Sequence, residues 1–197
     1  MYNFLFLFIF FIIILSLFIY TESRNNEIIY VKSNIDNRQY LVRNQEDKQD
    51  AADLLANMRG RLEKLINYMK INYPNDKRVE RLIRKFNPDR ISESLKGSKY
   101  TSYSINKGEK IVLCLRSKDM QQKLTDINTL MFVTLHELAH VATVSIGHTK
   151  EYWSNFKFIL KIAVKIGVYQ NIDYSKDPQP YCGIEVNDSP LHNASIE

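Results

Sequence analysis

The sequence predicts an α+β fold, with a short mixed or antiparallel sheet packed on a central helix and one transmembrane helix in front. Three observations carry that prediction. The chain opens on a long uncharged apolar run. Strand-like and helix-like periodicities then follow one another, and three of the four histidines fall between His136 and His148. On this reading the chain divides into an anchor over 1–21, a juxtamembrane segment with short strands over 22–44, and a domain over 45–197.

The apolar run comes first. Phe4 to Tyr20 is Phe, Leu and Ile broken only by Ser16, and no charged side chain occurs before Glu22. A helix of this length spans roughly the hydrocarbon core of a bilayer. A cleaved signal peptide would need a basic start and small residues at the cut, and Phe18-Ile19-Tyr20 is bulky. An uncleaved anchor is therefore expected, with Tyr20 at the interface. Arg24, Lys32 and Arg38 follow the run and nothing basic but the α-amino group precedes it, so the domain is expected to face the cytosol. Asn187-Asp188-Ser189 and Asn193-Ala194-Ser195 are glycosylation sequons that point the other way, and Pro190 disfavours the first.

The remainder is long enough to bury a core without staples. Nearly half the chain is hydrophobic and a quarter is charged. Its net charge of +5 permits an anionic partner without requiring one. Cys114 and Cys182 are the only cysteines and form no CxxC pair. One long-range disulfide is open to them, but in a cytosolic domain two buried free thiols are the expectation.

Glu27 to Lys32 and Gln39 to Arg43 read as strands around an Asp36-Asn37 turn. Leu54, Leu55, Met58, Leu62, Leu65, Ile66 and Met69 recur at helical spacing and predict a helix over Gln45 to Met69, ended by Pro74. A second helix, Lys77 to Phe86, stops at Asn87-Pro88. Tyr100 to Ile105 and Lys110 to Arg116 read as a hairpin turning at Asn106-Lys107-Gly108-Glu109. Ile111 to Leu115 is apolar on both faces, so that strand is expected to be well buried. Two helices follow, one capped by Thr125 or Asp126 and one from about Thr149 to Val168. The tail reads as coil with one strand near Cys182 to Val186.

The chemistry concentrates in His136-Glu137-Leu138-Ala139-His140. Two histidines four apart share one helix face and can reach one Zn²⁺. Glu137 is rotated about 100° from His136, so it stands beside the metal, where a base is useful. Ile127, Met131, Leu138 and Val141 occupy the opposite face, and Phe132 and Val133 lie on the histidine side. The helix is thus expected to be buried, where two histidines and a glutamate without partners would cost several kcal/mol and a metal would remove that cost. A third ligand is needed. His148 lies about 12 Å further along a straight helix, so the chain must turn first, and Gly147 permits a reversal. His148 is the expected third ligand, with Glu151 as runner-up and His192 behind it.

These residues, with Gly147-His148-Thr149-Lys150-Glu151-Tyr152-Trp153, resemble the zinc peptidase core shared by the WLM and SprT-like families. The resemblance is specific over about Ile111 to Trp153. The gap from His140 to His148 is not the commonest one in these families. Tyr181-Cys182-Gly183-Ile184 through Ser189-Pro190-Leu191, together with the apolar start, is similar to WLM-type metallopeptidases of large DNA viruses. The resemblance implies a small zincin-like fold and a zinc metalloendopeptidase acting on protein or peptide substrates. It also implies a strand beside the site, with Lys110 to Arg116 as the candidate, whose edge pairs with an extended substrate.

In the expected mechanism Glu137 is the catalytic base, and Tyr152 and Tyr181 are candidate oxyanion donors, each better explained as packing. Two other readings stay open. One is a catalytically silent zinc-fold membrane protein, for which an intact Glu137 has no use. The other is a DNA-associated protease of the crosslink type. Arg59 to Arg90 carries ten Lys/Arg against four Asp/Glu. The solvated face of two amphipathic helices is the expected explanation, with anionic lipid or nucleic acid as the alternative.

Overall fold

The computed structural model describes the backbone of residues 2–24 and 26–193, with side chains described over 5–21 and 26–193. Ala194 and Ser195 of the second sequon, and the side chain of Arg24, lie outside the described residues. In chain order the elements are α1 (Tyr2–Arg24), β1 (Ile28–Lys32), β2 (Gln39–Arg43), α2 (Lys48–Asn72) and α3 (Lys77–Lys85). Then come β3 (Ile91–Glu93), β4 (Ser102–Ile105), β5 (Lys110–Leu113), α4 (Ile127–Ala142), α5 (Lys150–Lys165), β6 (Gln179–Tyr181) and β7 (Ile184–Val186). The chain is α+β with small sheets.

The expected membrane anchor is not upheld. Residues 5–21 of α1 are exposed, yet among the described residues no helix is long and apolar enough to cross a membrane. The physical reason is length. The apolar run Phe4 to Tyr20 is 17 residues. It rises about 26 Å, short of a hydrocarbon core of about 30 Å, before Thr21 and Glu22 end it. The single-pass, cytosol-facing placement and the membrane as a partner are corrected with it.

β1 and β2 pair antiparallel, from Ile28 against Arg43 to Lys32 against Gln39. Their turn puts Asn37 at φ 60°, and the Asp36 carboxylate accepts from the Arg38 N–H and the Tyr40 hydroxyl. Tyr40 and Val42 point into the same core as Leu55, Met58, Leu62, Leu65 and Met69 of α2, spaced as an amphipathic helix requires. α3 begins at Asp76, whose side chain accepts from the Arg78 N–H.

The second sheet has the order β3-β5-β4, with β3 parallel and β4 antiparallel to β5. β3 was not expected: three residues containing Ser92 and Glu93 leave no readable period. The edge assignment also changes. The Lys110 to Arg116 segment lies in the middle of the sheet, so the strand with an open edge beside α4 is β4. A strand apolar on both faces is a central strand, covered above, below and on both sides.

The basic stretch 59–90 is structural wherever its partners are described. Arg59, 8% exposed, holds Glu63 and Asp89. Arg61 and Lys64 donate to the carbonyls of Val168 and Ile166 just beyond α5, and Arg81 donates to Ala142 O at the end of α4. Arg78 pairs with Asp76, Arg84 with Glu80 and Arg90 with Glu109. Of these, Arg61, Lys64 and Arg81 tie one helix to the end of another.

The two cysteines are not free thiols. Cys114 and Cys182 form a disulfide with Cα atoms 6.0 Å apart, across a sequence separation of 68. The tail forms a hairpin, β6 with β7, and this folds back onto the end of β5. Proximity created only by that fold could not be read from two isolated cysteines.

Candidate metal centre

α4 positions the first two histidines. Asp126 caps it, its carboxylate accepting from the N–H groups of Asn128 and Thr129. Leu130, Met131, Leu135, Leu138, Ala139 and Val141 bury the helix against the core. His136 and His140 remain partly accessible along one stripe, and Glu137 is 7% exposed.

The helix must stop for His148 to return, and several groups stop it. The Thr143 hydroxyl donates to Ala139 O and accepts from Asn155 Nδ2. Arg81 Nε donates to Ala142 O at 2.6 Å, and Lys107 Nζ donates to Val144 O at 2.9 Å. Both cations sit at the negative end of the helix dipole. Glu151 accepts from the N–H groups of Val144 and Ser145 and from the Ser145 hydroxyl. Gly147 sits at φ 82°, the left-handed region open to glycine. Thr149 then caps α5.

The turn brings three imidazoles together. His148 Nε2 lies 3.2 Å from His136 Nε2 and 3.2 Å from His140 Nε2. The three could hold one metal ion. Nitrogens bonded to one tetrahedral Zn²⁺ at about 2.05 Å stand about 3.3 Å apart, so the observed spacing fits that ion. Burial, reinforced by the neighbouring imidazoles, lowers His136 to about 3. The same burial, with His148 and Lys107 adding to it, lowers His140 to about 4. Both rings are thus kept neutral, the form that ligates. Glu151 is occupied by the turn, and His192 Nε2 is bonded to Asn171 Oδ1, so neither joins the cluster.

Glu137 stands beside the histidines. Burial raises its carboxyl to about 7 against the opposing hydrogen bonds from the Ser104 N–H and hydroxyl. Ser104 belongs to β4, the open-edged strand, and no sequence signal marks it out from the serines around it. A cavity of about 290 Å³ adjoins the site, lined among others by Ser102, Phe132, His136, Glu137, Tyr181 and Val186.

The tyrosines divide in role. Tyr152 is fully buried, its ring 4.3 Å from that of His140, 4.6 Å from His148 and 5.2 Å from His136. Its hydroxyl points to His136 O at 3.4 Å. It packs the three imidazoles into place, the packing role expected of it. Phe156 adds a second ring against His136 at 5.4 Å. No site signal in the sequence singled out Phe156; its position seven residues after the α5 cap residue was the available clue. Tyr181 lines the cavity and shares a hydrogen bond with the Ser102 hydroxyl.

Three convergent histidines with a buried carboxylate at their side, on an α+β scaffold, define a candidate metal-dependent hydrolase centre. The WLM domain model matches residues 35–179. The chain belongs to the WLM family, a family of zinc-dependent proteases. An uncharacterized protein of Acanthamoeba polyphaga mimivirus is 38% identical over 180 residues, 89% of this chain and 90% of that one. An uncharacterized protein of Invertebrate iridescent virus 6 is 42% identical over 34% of this chain and 38% of its own length. Another, from Invertebrate iridescent virus 3, is 47% identical over 34% of this chain and 42% of its own. The crystal structure of Wss1 from Saccharomyces cerevisiae aligns with a TM-score of 0.49 at 21% identity, covering 63% of this chain and 84% of that one. The expected membership of the WLM family and the expected likeness to viral proteins are thereby met.

Proposed function

We propose that this chain is a zinc-dependent endopeptidase, with His136, His140 and His148 as the metal ligands and Glu137 as the catalytic base. The observation that supports it most is the 3.2 Å spacing of the three Nε2 atoms beside a buried carboxylate. A purely structural zinc site has no use for that carboxylate.

When bound, zinc would supply a Lewis acid that polarises the scissile carbonyl and lets water attack near neutral pH. Glu137 takes the proton from the attacking water and passes it to the departing amine. A carboxyl held near 7 is matched to both transfers. β4 receives the substrate main chain along its open edge. Ser102 and Ser104 form the pairs that do not exchange hydrogen bonds with β5, so their main-chain groups face outward; the Ser104 N–H is taken by Glu137, which leaves the Ser102 N–H and the two carbonyls for the substrate. The domain that carries these parts is assigned to 45–197, with 22–44 packed on it through Tyr40 and Val42.

Glu137→Gln is the test. It should keep one zinc per chain and lose about 10²-fold to 10⁴-fold in cleavage of a casein or peptide-library substrate. Equal cleavage by variant and parent would overturn the mechanism. A protease acting on DNA-bound protein is the second reading. Arg59, Arg61, Lys64, Arg78 and Arg81 are engaged within the fold, but Lys70, Lys77, Arg84 and Arg90 are exposed. This reading predicts cleavage stimulated by DNA and salt-sensitive binding.

A further inference from the structure

A second polar site lies around the buried end of the central sheet and shares no lining residue with the cavity beside His136. It is a cavity of about 140 Å³ lined by Arg43, Glu93, Lys96, Arg116, Lys118 and Gln122, among others. Four cations line it with the Glu93 carboxylate, and Asp47 and Glu27 stand against Arg116 and Arg43 from outside the lining.

Arg116 is 2% exposed, too deep to be solvated in the ordinary way. Its Nε donates to Glu93 Oε1 at 2.8 Å, and its Nη1 donates to Asp47 and, at 3.5 Å, to Gln122 O. Its Nη2 has no partner. Arg43 is 7% exposed. Its Nη2 donates to Gln122 Oε1, while its Nε makes no hydrogen bond and stands 3.7 Å from Glu27 Oε1. Both Glu93 oxygens are already taken, one by Arg116 Nε and the other by the Arg43 N–H at 2.7 Å. Donors are therefore left over where acceptors are used up. At the mouth, Lys96 and Lys118 are exposed, and Lys118 Nζ donates to Ser98 O at 3.2 Å.

We propose that this cavity binds a small oxyanion of the phosphate class, held by Arg43 and Arg116, with Lys96 and Lys118 at its entrance. Guanidinium N–H groups match tetrahedral oxyanions in geometry and charge. Each guanidinium keeps one unpartnered N–H, and the four cations exceed Glu93, Asp47 and Glu27 by one charge, which an oxyanion offsets and a water does not. The small volume favours the free ion over an ester.

The test is a titration of the full-length protein with inorganic phosphate, against sodium chloride at equal ionic strength. A saturable rise in Tm specific to phosphate is expected. The Nε–H resonance of Arg43, assigned by its loss in Arg43→Lys, should move with the same midpoint. Lys118→Gln, at an exposed position that leaves the buried network intact, should raise that midpoint several-fold. Glycerol phosphate run in parallel separates the sources: a response to phosphate alone assigns the free ion, and an equal response to both assigns the phosphoryl group of an ester. No saturable response to either overturns the proposal, as does a Tm rise during which the Arg43 resonance stays still.

Discussion

At the residue scale, His148 and Glu151 were rivals for one role and have separate ones. Glu151 holds the turn, and His148 reaches the cluster because the turn is held. His148→Ala should therefore drop zinc content well below one per chain in metal analysis. Glu151→Gln should keep zinc near one and lower Tm modestly, since the turn N–H groups lose a charged acceptor worth about 1.5–3 kcal/mol. Zinc loss in Glu151→Gln alone would reverse the assignment.

The same residues set how the metal-free protein responds to pH. His136 and His140 have folded pKa values of about 3 and 4, below the ordinary 6.5. The unfolded chain thus takes up protons first on acidification. Their contribution to stability is complete above pH 6.5 and is lost as pH falls through about 4 and 3. Glu137 has the opposite sign: its raised pKa favours the folded state below pH 4.5, and that advantage is lost as pH rises through about 7. Chelated wild-type protein should show Tm falling on acidification below about pH 6.5. Above pH 7 chelated Glu137→Gln should melt higher than the wild type, because an amide removes the cost of a buried charge. A lower Tm for the variant there would contradict the assignment.

At the scale of elements, the approach of the β4–β5 turn to α4 depends on Gly108. A Cβ there would stand 2.8 Å from Val141 Cγ2 and 2.9 Å from Val141 Cγ1, and φ is +108°. Gly108→Ala should cost about 1–3 kcal/mol in denaturant unfolding. It should also weaken zinc binding, since Lys107 on the same turn caps the helix that carries His136 and His140. The β6–β7 hairpin is held by Cys114–Cys182, which closes 68 residues of chain. Loop closure of that length is worth about 4 kcal/mol. Reduction should lower Tm and loosen the wall of the cavity beside Glu137. Cleavage activity unchanged by a reductant that demonstrably opens the disulfide would show that the wall does not matter to substrate.

At the scale of the whole molecule, local signals were readable and long-range pairings were not. Helices α2 to α5 and the first hairpin could be read from periodicity, caps and turn residues, because each is decided within a few residues. His136, Glu137 and His140 were readable for the same reason, since four-residue spacing on one helix is itself a geometry. The apolar N-terminal run was readable as a helix, but its length falls short of a bilayer core.

What the sequence by itself determined is the motif, its helix and the turn at Gly147 that a third histidine needs to join the first two. Only the tertiary structure decided which strand borders the site, that Ser104 holds Glu137, that Tyr152 and Phe156 pack the imidazoles, and that the two cysteines meet. Each of these depends on segments tens of residues apart, and no period or spacing along the chain encodes such a distance. The basic stretch 59–90 is the plainest case. Its charge was visible at once, but that Arg81, Lys64 and Arg61 donate to the carbonyls of Ala142, Ile166 and Val168 was not, because only folding brings those groups within reach.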